Sequence, residues 1–243
     1  MMPIMLRAII FDFDGVIADT EPLHYAAFER VLRDTPLAIT REEYFARYVG
    51  LSDRVFLERL AADRRAAFGD ELKRFYDEKY QVYLELIGQG TSLIAGLNEF
   101  LADLPANLPV AICSGARRTE IDLILSQHNL ASRFPIIVSS EDVHSSKPEP
   151  HGYLMTLHKL RALYLYGKEH AKDVDPIEAM PADSCLAIED SPQGILAARA
   201  AGMRTLAMLP SHIASDVSAA DLRRENFRGL TWDDLCYRFV SQG

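Results

Sequence analysis

Two aspartates separated by one residue follow the first apolar run of the chain. Asp12 and Asp14 lie in the segment Asp-Phe-Asp-Gly-Val, directly after the apolar residues 6–11. Two neighbouring carboxylates at the end of a buried strand are costly to desolvate unless a cation compensates their charge. In an open parallel sheet, ligands bind in the crevice beyond the carboxyl ends of the strands. The pair therefore predicts an acidic site that binds a cation, with a solvated surface turn as the alternative interpretation.

Three further apolar runs end in polar residues that could converge on the same crevice. In chain order these polar residues are Ser114 with Gly115, Lys147, and Glu189 with Asp190. Each of them alone is typical of a solvated loop. Together they predict one site that combines a hydroxyl, an ammonium and several carboxylates, which are groups that can bind and transfer a charged substrate.

Short apolar runs between longer helical patterns are expected to position these residues. The runs are residues 6–11, 110–113, 135–138, 185–188 and 204–208. Short runs with little polar alternation are typical of parallel strands buried on both faces, with amphipathic helices as the crossovers. The sequence therefore predicts an α/β fold built on a doubly wound parallel sheet.

The interval between the first two predicted strands is too long for a single crossover helix. Helical patterns occur in it at 25–33, 41–48, 53–62 and 71–86. Thr40 and Ser52 are candidate N-caps for two of these helices. We expect an inserted helical domain at 19–92, between core segments 1–18 and 93–243. The glycines in 88–92 predict a return hinge, with an ordinary loop as the alternative.

Composition and charge exclude some functions. The chain has 243 residues and a formal net charge of −9, which argues against nucleic acid as a partner because affinity for nucleic acid comes mainly from Lys and Arg. The apolar N-terminal stretch is short and contains Arg7, which suits neither a signal peptide nor a membrane span. Cys113, Cys185 and Cys236 lack zinc-site spacing and are expected to be reduced. We therefore expect a cytoplasmic protein without a membrane partner.

The polar residues at the predicted strand ends resemble, in order, the four motifs of the haloacid dehalogenase-like phosphotransferases. The matching residues are Asp12-Phe-Asp14-Gly-Val, Ser114, Lys147-Pro148 and Glu189-Asp190. The segments 19–24 and 50–54 resemble the subfamily with a helical cap inserted after the first motif. That subfamily includes beta-phosphoglucomutases and phosphoglycolate-phosphatase-like enzymes. The resemblance implies a Rossmann-like core that carries an α-helical cap domain.

The resemblance also implies a reaction on a small phosphorylated metabolite. Asp12 is then the nucleophile that forms an aspartyl-phosphate, and Asp14 is the general acid and base. Mg²⁺ is held by the Asp12 carboxylate, the Asp14 backbone carbonyl and the Asp190 carboxylate. Glu189 is expected to lie next to these ligands and orient them without binding the metal itself.

Further contacts to the substrate follow from the same resemblance. The Ser114 hydroxyl and the Gly115 amide are expected to hold phosphoryl oxygens, and Lys147 offsets the charge shared by nucleophile and phosphate. Gly115 departs from the family, in which asparagine often occupies this position. In the predicted cap, the candidate substrate contacts are Thr20, His24 and Arg54.

Hydrolysis is the reaction that the sequence favours. Dehalogenases lack the acid/base aspartate found here at Asp14. Beta-phosphoglucomutases use a cap lysine where this chain has Tyr83, although Lys79 lies one helical turn earlier and could substitute. A phosphomutase therefore stays the alternative, and a non-catalytic binding module is the third hypothesis. Residues 164–183 are interpreted as an insertion, and neither the oligomeric state nor the identity of the metabolite follows from the sequence.

Overall fold

The computed structural model describes residues 6–65, 69, 71–165, 175–209 and 216–240. The chain divides into two compact units, one made of Met1–Ala18 with Leu93–Gly243 and the other of Asp19–Ser92. We refer to them as the core unit and the helical unit.

A six-stranded parallel sheet forms the centre of the core unit. Its strands are β1 (Ala8–Phe11), β2 (Val110–Cys113), β3 (Ile136–Val138), β4 (Cys185–Glu189), β5 (Arg204–Met208) and β6 (Leu222–Arg224). Their order across the sheet is β3-β2-β1-β4-β5-β6, and each neighbouring pair is parallel. The chain order reverses direction at β1, as in a doubly wound sheet. The predicted α/β fold class is confirmed.

Helices cover the sheet, and β1, β2 and β4 are buried along their whole length. The helices of the core unit are α5 (Leu97–Asp103), α6 (Arg118–Gln127), α7 (His151–Leu165), α8 (Pro176–Ala179), α9 (Pro192–Ala200) and α10 (Trp232–Val240). Three-residue 3-10 helices occur at Ala131–Arg133, Ser140–Asp142 and Ala182–Ser184. Side chains of α7 and α9, including Tyr153 and Ala197, pack with Ile10 of β1 and Ala187 of β4 in one buried cluster. Burial of this apolar area is the main force that stabilises the sheet.

The helical unit contains α1 (Glu21–Leu32), α2 (Arg41–Arg47), α3 (Asp53–Asp63) and α4 (Glu71–Gln89). Its own core is aromatic, with the Phe28 and Phe56 ring centroids 4.1 Å apart. Thr40 caps α2 by accepting a hydrogen bond from the Glu43 amide. Ser52 stands at the N-cap position of α3, but its side chain makes no capping hydrogen bond.

One local expectation was wrong, one strand was not predicted, and one predicted segment is described only in part. Helix α4 continues to Gln89, so Gly88 is helical and the chain leaves the helix at Gly90, whose φ is +128°. Strand β6 was not predicted, because its sequence Leu-Arg-Arg has no apolar run. The predicted insertion at 164–183 begins inside α7 and ends with α8 and a 3-10 helix, while residues 166–174 lie outside the described residues.

Two absences complete the description. Cys113, Cys185 and Cys236 are free thiols. Among the described residues, none of the helices has the combined length and apolar character needed to cross a bilayer.

Candidate active site

Asp12 lies at the carboxyl end of the central strand. Its backbone amide donates to the Ile188 carbonyl at 2.9 Å, which extends the pairing of β1 with β4 by one residue. Asp12 is 7% exposed, and its carboxylate receives a hydrogen bond from Lys147 Nζ at 2.7 Å. The loop before α7 supplies Lys147. The predicted nucleophile and the predicted cation are therefore in direct contact.

Burial and the closeness of other carboxylates disfavour the ionised forms of Asp12 and Asp190. Desolvation and the charge of Glu189 raise the pKa of Asp12 to about 7, although Lys147 acts in the opposite direction. Burial and the charge of Asp12 raise the pKa of Asp190 well above its ordinary value. Burial lowers the pKa of Lys147, but Asp12 and Glu189 outweigh it and hold that pKa well above its usual range. The lysine stays charged between the carboxylates, and its single charge does not compensate all of them.

The carboxylates of Asp12, Glu189 and Asp190 could hold a metal ion. One oxygen of each lies within 4.8 Å of the others. Mg²⁺ prefers such oxygen ligands, and a divalent cation would supply the missing positive charge. Asp14 adds a further negative charge that raises the pKa of both aspartates. The donor set and its charge therefore fit Mg²⁺.

Gly15 lets the loop after β1 approach Asp190. Its φ is +70°, a conformation that side chains with a Cβ adopt with strain. A Cβ at this position would lie 2.2 Å from Asp190 Oδ2, well inside van der Waals contact. The glycine of the Asp-Phe-Asp-Gly motif is therefore required both for backbone conformation and for space.

Glu189 is held in place by several hydrogen bonds. It is fully buried, and its Oε1 accepts hydrogen bonds from Lys147 Nζ at 2.5 Å and from the Tyr153 hydroxyl at 2.6 Å. The Ser191 hydroxyl donates to its Oε2 at 3.2 Å. A Cβ at Gly194 would lie 2.0 Å from the carboxylate. The sequence analysis did not single out Tyr153 or Gly194, since a tyrosine or a glycine in an amphipathic helix carries no distinctive signal.

Ser114 and Gly115 follow β2, the strand that pairs with β1. The Ser114 hydroxyl is buried and accepts a hydrogen bond from the Ala116 amide at 3.0 Å. Accepting this bond orients the oxygen and does not use the hydroxyl proton, which can be donated to a phosphoryl oxygen. Gly115 is exposed, with no atom within 4 Å of the position where its Cβ would stand. Both residues stand at the sheet edge where they were predicted.

The predicted contacts in the helical unit occupy different environments. His24 Nδ1 lies 2.7 Å from Lys79 Nζ, and the His24 ring stacks on Tyr83 with centroids 4.1 Å apart. The same Nδ1 lies 3.6 Å from Asp53 Oδ1. Arg54 is largely exposed and pairs with Glu58 at 2.8 Å. Thr20 is buried at the N-terminus of α1.

The Lys79 ammonium is paired inside the helical unit. Its side chain is 1% exposed, and its Nζ donates to both carboxylate oxygens of Asp53, at 2.8 and 2.7 Å. Burial raises the pKa of Asp53, but Lys79 and His24 outweigh it and hold that pKa well below its usual range. The sequence analysis considered Lys79 without its partner. The two residues are on different helices, whose rotation about their axes does not follow from spacing alone.

Comparison with known proteins identifies relatives of this chain. The family model for haloacid dehalogenase-like hydrolases matches residues 9–208. Protein CbbY of Rhodobacter capsulatus is 30% identical over 234 residues, covering 90% of this chain and 92% of that protein. The phosphorylated carbohydrates phosphatase of Thermotoga maritima is 27% identical over 203 residues, covering 83% of this chain and 84% of that protein.

A solved structure shares the fold. The crystal structure of beta-phosphoglucomutase from Clostridium difficile matches with a TM-score of 0.76 at 22% identity and covers 98% of both chains. At this level of identity the likeness shows the fold alone. The family match and the relatives show that the chain belongs to the haloacid dehalogenase-like hydrolases, the family that its four motifs predicted.

Proposed function

We propose that the protein is a Mg²⁺-dependent phosphatase that hydrolyses a small phosphorylated metabolite through an aspartyl-phosphate on Asp12. The observation that carries this proposal is the contact of Asp12 with Lys147, inside the carboxylate cluster completed by Glu189 and Asp190. A nucleophile beside a fixed cation can approach a phosphoryl group without excessive charge repulsion.

The first step forms a bond between an Asp12 oxygen and phosphorus. The bond from phosphorus to the leaving oxygen breaks, and Asp14 gives that oxygen its proton. The Ser114 hydroxyl and the Gly115 amide bind the phosphoryl oxygens, while Lys147 offsets the charge on Asp12. Asp12, the Asp14 backbone carbonyl and Asp190 would hold Mg²⁺, which would supply positive charge to compensate the carboxylates and the phosphoryl group.

The second step removes the phosphoryl group from Asp12. Asp14, now ionised, takes a proton from water as the water oxygen attacks phosphorus. The bond between phosphorus and Asp12 breaks, so inorganic phosphate leaves and Asp14 is protonated again for the next turnover. One residue can serve both steps because the base needed in the second step is the product of the first.

A phosphorylated carbohydrate is the substrate class that we propose, since a phosphatase relative is named for such substrates. Residues 19–92 are proposed to serve as the cap that selects the substrate, with Thr20, His24 and Arg54 as contacts. Alanine substitutions at these three positions, ranked by kcat/KM on a panel of phosphorylated metabolites, test that proposal. A cytoplasmic location stays a prediction.

A phosphomutase is the second candidate, favoured by the presence of Lys79 on α4, one helical turn before Tyr83. Incubation with beta-glucose 1-phosphate and a catalytic amount of the glucose bisphosphate separates the two functions. Phosphate release that requires Mg²⁺ supports the phosphatase. Isomerisation to glucose 6-phosphate with slow phosphate release would overturn it in favour of the mutase.

A further inference from the structure

Tyr153 is a buried tyrosine whose hydroxyl points into the candidate active site. It lies on the first turn of α7, six positions after Lys147, and its side chain has no exposed surface. Its ring packs in the core cluster with Ile10, Cys113 and Leu157. Its hydroxyl donates to Glu189 Oε1 at 2.6 Å. The ring is thus fixed by packing, and the hydroxyl is fixed by a short hydrogen bond to a carboxylate.

The same Glu189 oxygen also holds the catalytic lysine. Lys147 Nζ lies 2.5 Å from Glu189 Oε1 and 2.7 Å from Asp12 Oδ1, and it stands 5.4 Å from the centroid of the Tyr153 ring. Tyr153 is therefore linked to Lys147 in two ways. Both residues donate to Glu189 Oε1, and the ring of Tyr153 faces the ammonium. The position of the ammonium opposite Asp12 depends on where Glu189 places that oxygen.

The other restraints on Glu189 are weaker or only steric. Ser191 donates to Oε2 at 3.2 Å, and the Ser191 hydroxyl itself caps α9 by accepting from the Gly194 amide at 3.0 Å. Gly194 gives the carboxylate room, since a Cβ there would lie 2.0 Å from it. The bond from Tyr153 is the shorter of the two hydroxyl contacts to Glu189. If it is lost, Glu189 Oε1 keeps the Lys147 ammonium as its described partner.

We propose that Tyr153 is a positioning residue for the reaction, acting through Glu189 to hold the Lys147 ammonium against Asp12. This proposal rests on the proposed function, in which Lys147 stabilises charge during phosphoryl transfer. The Tyr153 hydroxyl bonds to Glu189, so Tyr153 acts on Asp12 through Glu189 and Lys147. Its contribution is to the geometry of the cation, so its loss lowers the rate of the chemical step more than the affinity for substrate.

The test compares Tyr153→Phe with the wild-type chain. Phenylalanine keeps the ring in the core and removes only the hydroxyl. We expect kcat for p-nitrophenyl phosphate to fall about tenfold or more, with KM within about twofold of wild type. We also expect weaker binding of beryllium fluoride in the presence of Mg²⁺, measured by calorimetry, because the trifluoride resembles the phosphoryl group on Asp12. Binding of the analogue needs no turnover. If the wild type binds it but has no phosphatase activity, the proposed function fails, and the effect of Tyr153→Phe on binding still tests this inference.

Tyr48→Phe is the matched control. Tyr48 is 1% exposed, and its hydroxyl donates to the Asp63 carboxylate at 2.7 Å, within the helical unit. Tyr48→Phe removes the same kind of bond, a tyrosine hydroxyl to a carboxylate. The two variants are therefore expected to lose stability in the same way but to differ in kcat and in affinity for the analogue. Tyr153→Phe in a Glu189→Ala background is expected to change kcat by less than about twofold, because the acceptor is missing.

Three results would overturn the proposal. One is unchanged kcat and analogue affinity in a folded Tyr153→Phe. Another is an equal loss of kcat in the Glu189→Ala background, which would show that Tyr153 does not act through Glu189. A third is an unfolded Tyr153→Phe beside a folded Tyr48→Phe, which would assign the hydroxyl to stability alone. If Glu189→Ala does not fold, the separation of kcat from KM in Tyr153→Phe decides.

Discussion

Lys147 Nζ lies 2.7 Å from Asp12 Oδ1, although the two residues are 135 positions apart in the chain. Asp12 directly follows β1, and Lys147 stands in the loop before α7, whose side chains pack with those of β1. The contact brings a fixed positive charge to a carboxylate that burial would otherwise keep protonated near neutral pH. The account of phosphoryl transfer depends on this pair.

Lys147→Met is expected to lower kcat by about two to three orders of magnitude. Methionine keeps the apolar stem and removes the charge that offsets Asp12 and Glu189. The measurement is the rate of phosphate release under saturating Mg²⁺. Lys73→Met, at an exposed position of α4, is the control and is expected to keep kcat within about twofold. Equal kcat values for wild type and Lys147→Met would contradict the role of the lysine.

Gly15→Ala is expected to abolish most activity and weaken Mg²⁺ binding, because its Cβ would displace Asp190 Oδ2. Gly229→Ala is the matched control, since Gly229 has a φ of +67° and no atom within 4 Å of its Cβ position. Both variants are expected to lose about 1 kcal/mol of stability from backbone strain. Only Gly15→Ala is expected to need a higher Mg²⁺ concentration in a titration of activity, and a similar requirement in Gly229→Ala would sink the steric explanation.

Asp190→Asn is expected to raise the thermal midpoint of the metal-free protein at neutral pH and to abolish its stabilisation by Mg²⁺. The raised pKa of Asp190 means that folding disfavours its ionised form, so at any pH above the unfolded pKa the charge costs stability. Asparagine removes that cost together with a carboxylate that we propose as a metal ligand. Thermal denaturation in EDTA and in excess Mg²⁺ measures both effects. An Asp190→Asn variant less stable than wild type in EDTA would contradict this prediction, because it would show that the negative charge of the carboxylates is balanced without metal.

Asp53→Asn is expected to lower the free energy of unfolding by about 3 kcal/mol, because it leaves the buried Lys79 ammonium without its charged partner. The pKa of Asp53 is depressed in the folded state, so its contribution is fully present above the unfolded value of 3.8 and is lost as the pH falls through the lower folded value. Denaturant unfolding at several pH values should therefore show a constant difference from pH 7 to pH 5 and a smaller one in stronger acid. A difference that stayed constant in strong acid would contradict this pairing.

The sequence predicts the buried strands well and the exposed edge poorly. Residues 110–113 and 204–208 are strands with the predicted bounds, since short, mainly apolar runs between helical patterns are typical of buried strands. Strand β6 has the sequence Leu-Arg-Arg and exists because β5 offers it an edge to pair with, in the register Leu206 with Leu222. Such pairing is a tertiary effect that a short polar segment does not show in its sequence.

The sequence predicts which residues of the candidate site lie together only where those residues stand at strand ends. Asp12, Ser114, Glu189 and Asp190 each end or follow a parallel strand, and parallel strands share one carboxyl edge. The hydrogen bond of Tyr153 depends on the rotation of α7 about its axis. Spacing places Tyr153 on a buried helix face, but it does not distinguish an ordinary core tyrosine from one that reaches a carboxylate.

The most direct test of the account is the covalent state of Asp12 during turnover. Wild-type protein mixed with substrate and Mg²⁺ is quenched in acid within one turnover, digested, and analysed by peptide mass. The account predicts a phosphoryl group on the peptide that contains Asp12, at the position of Asp12, and none in Asp12→Asn. Rapid release of phosphate by a wild type that never carries this group, with full activity in Asp12→Asn, would contradict the central claim.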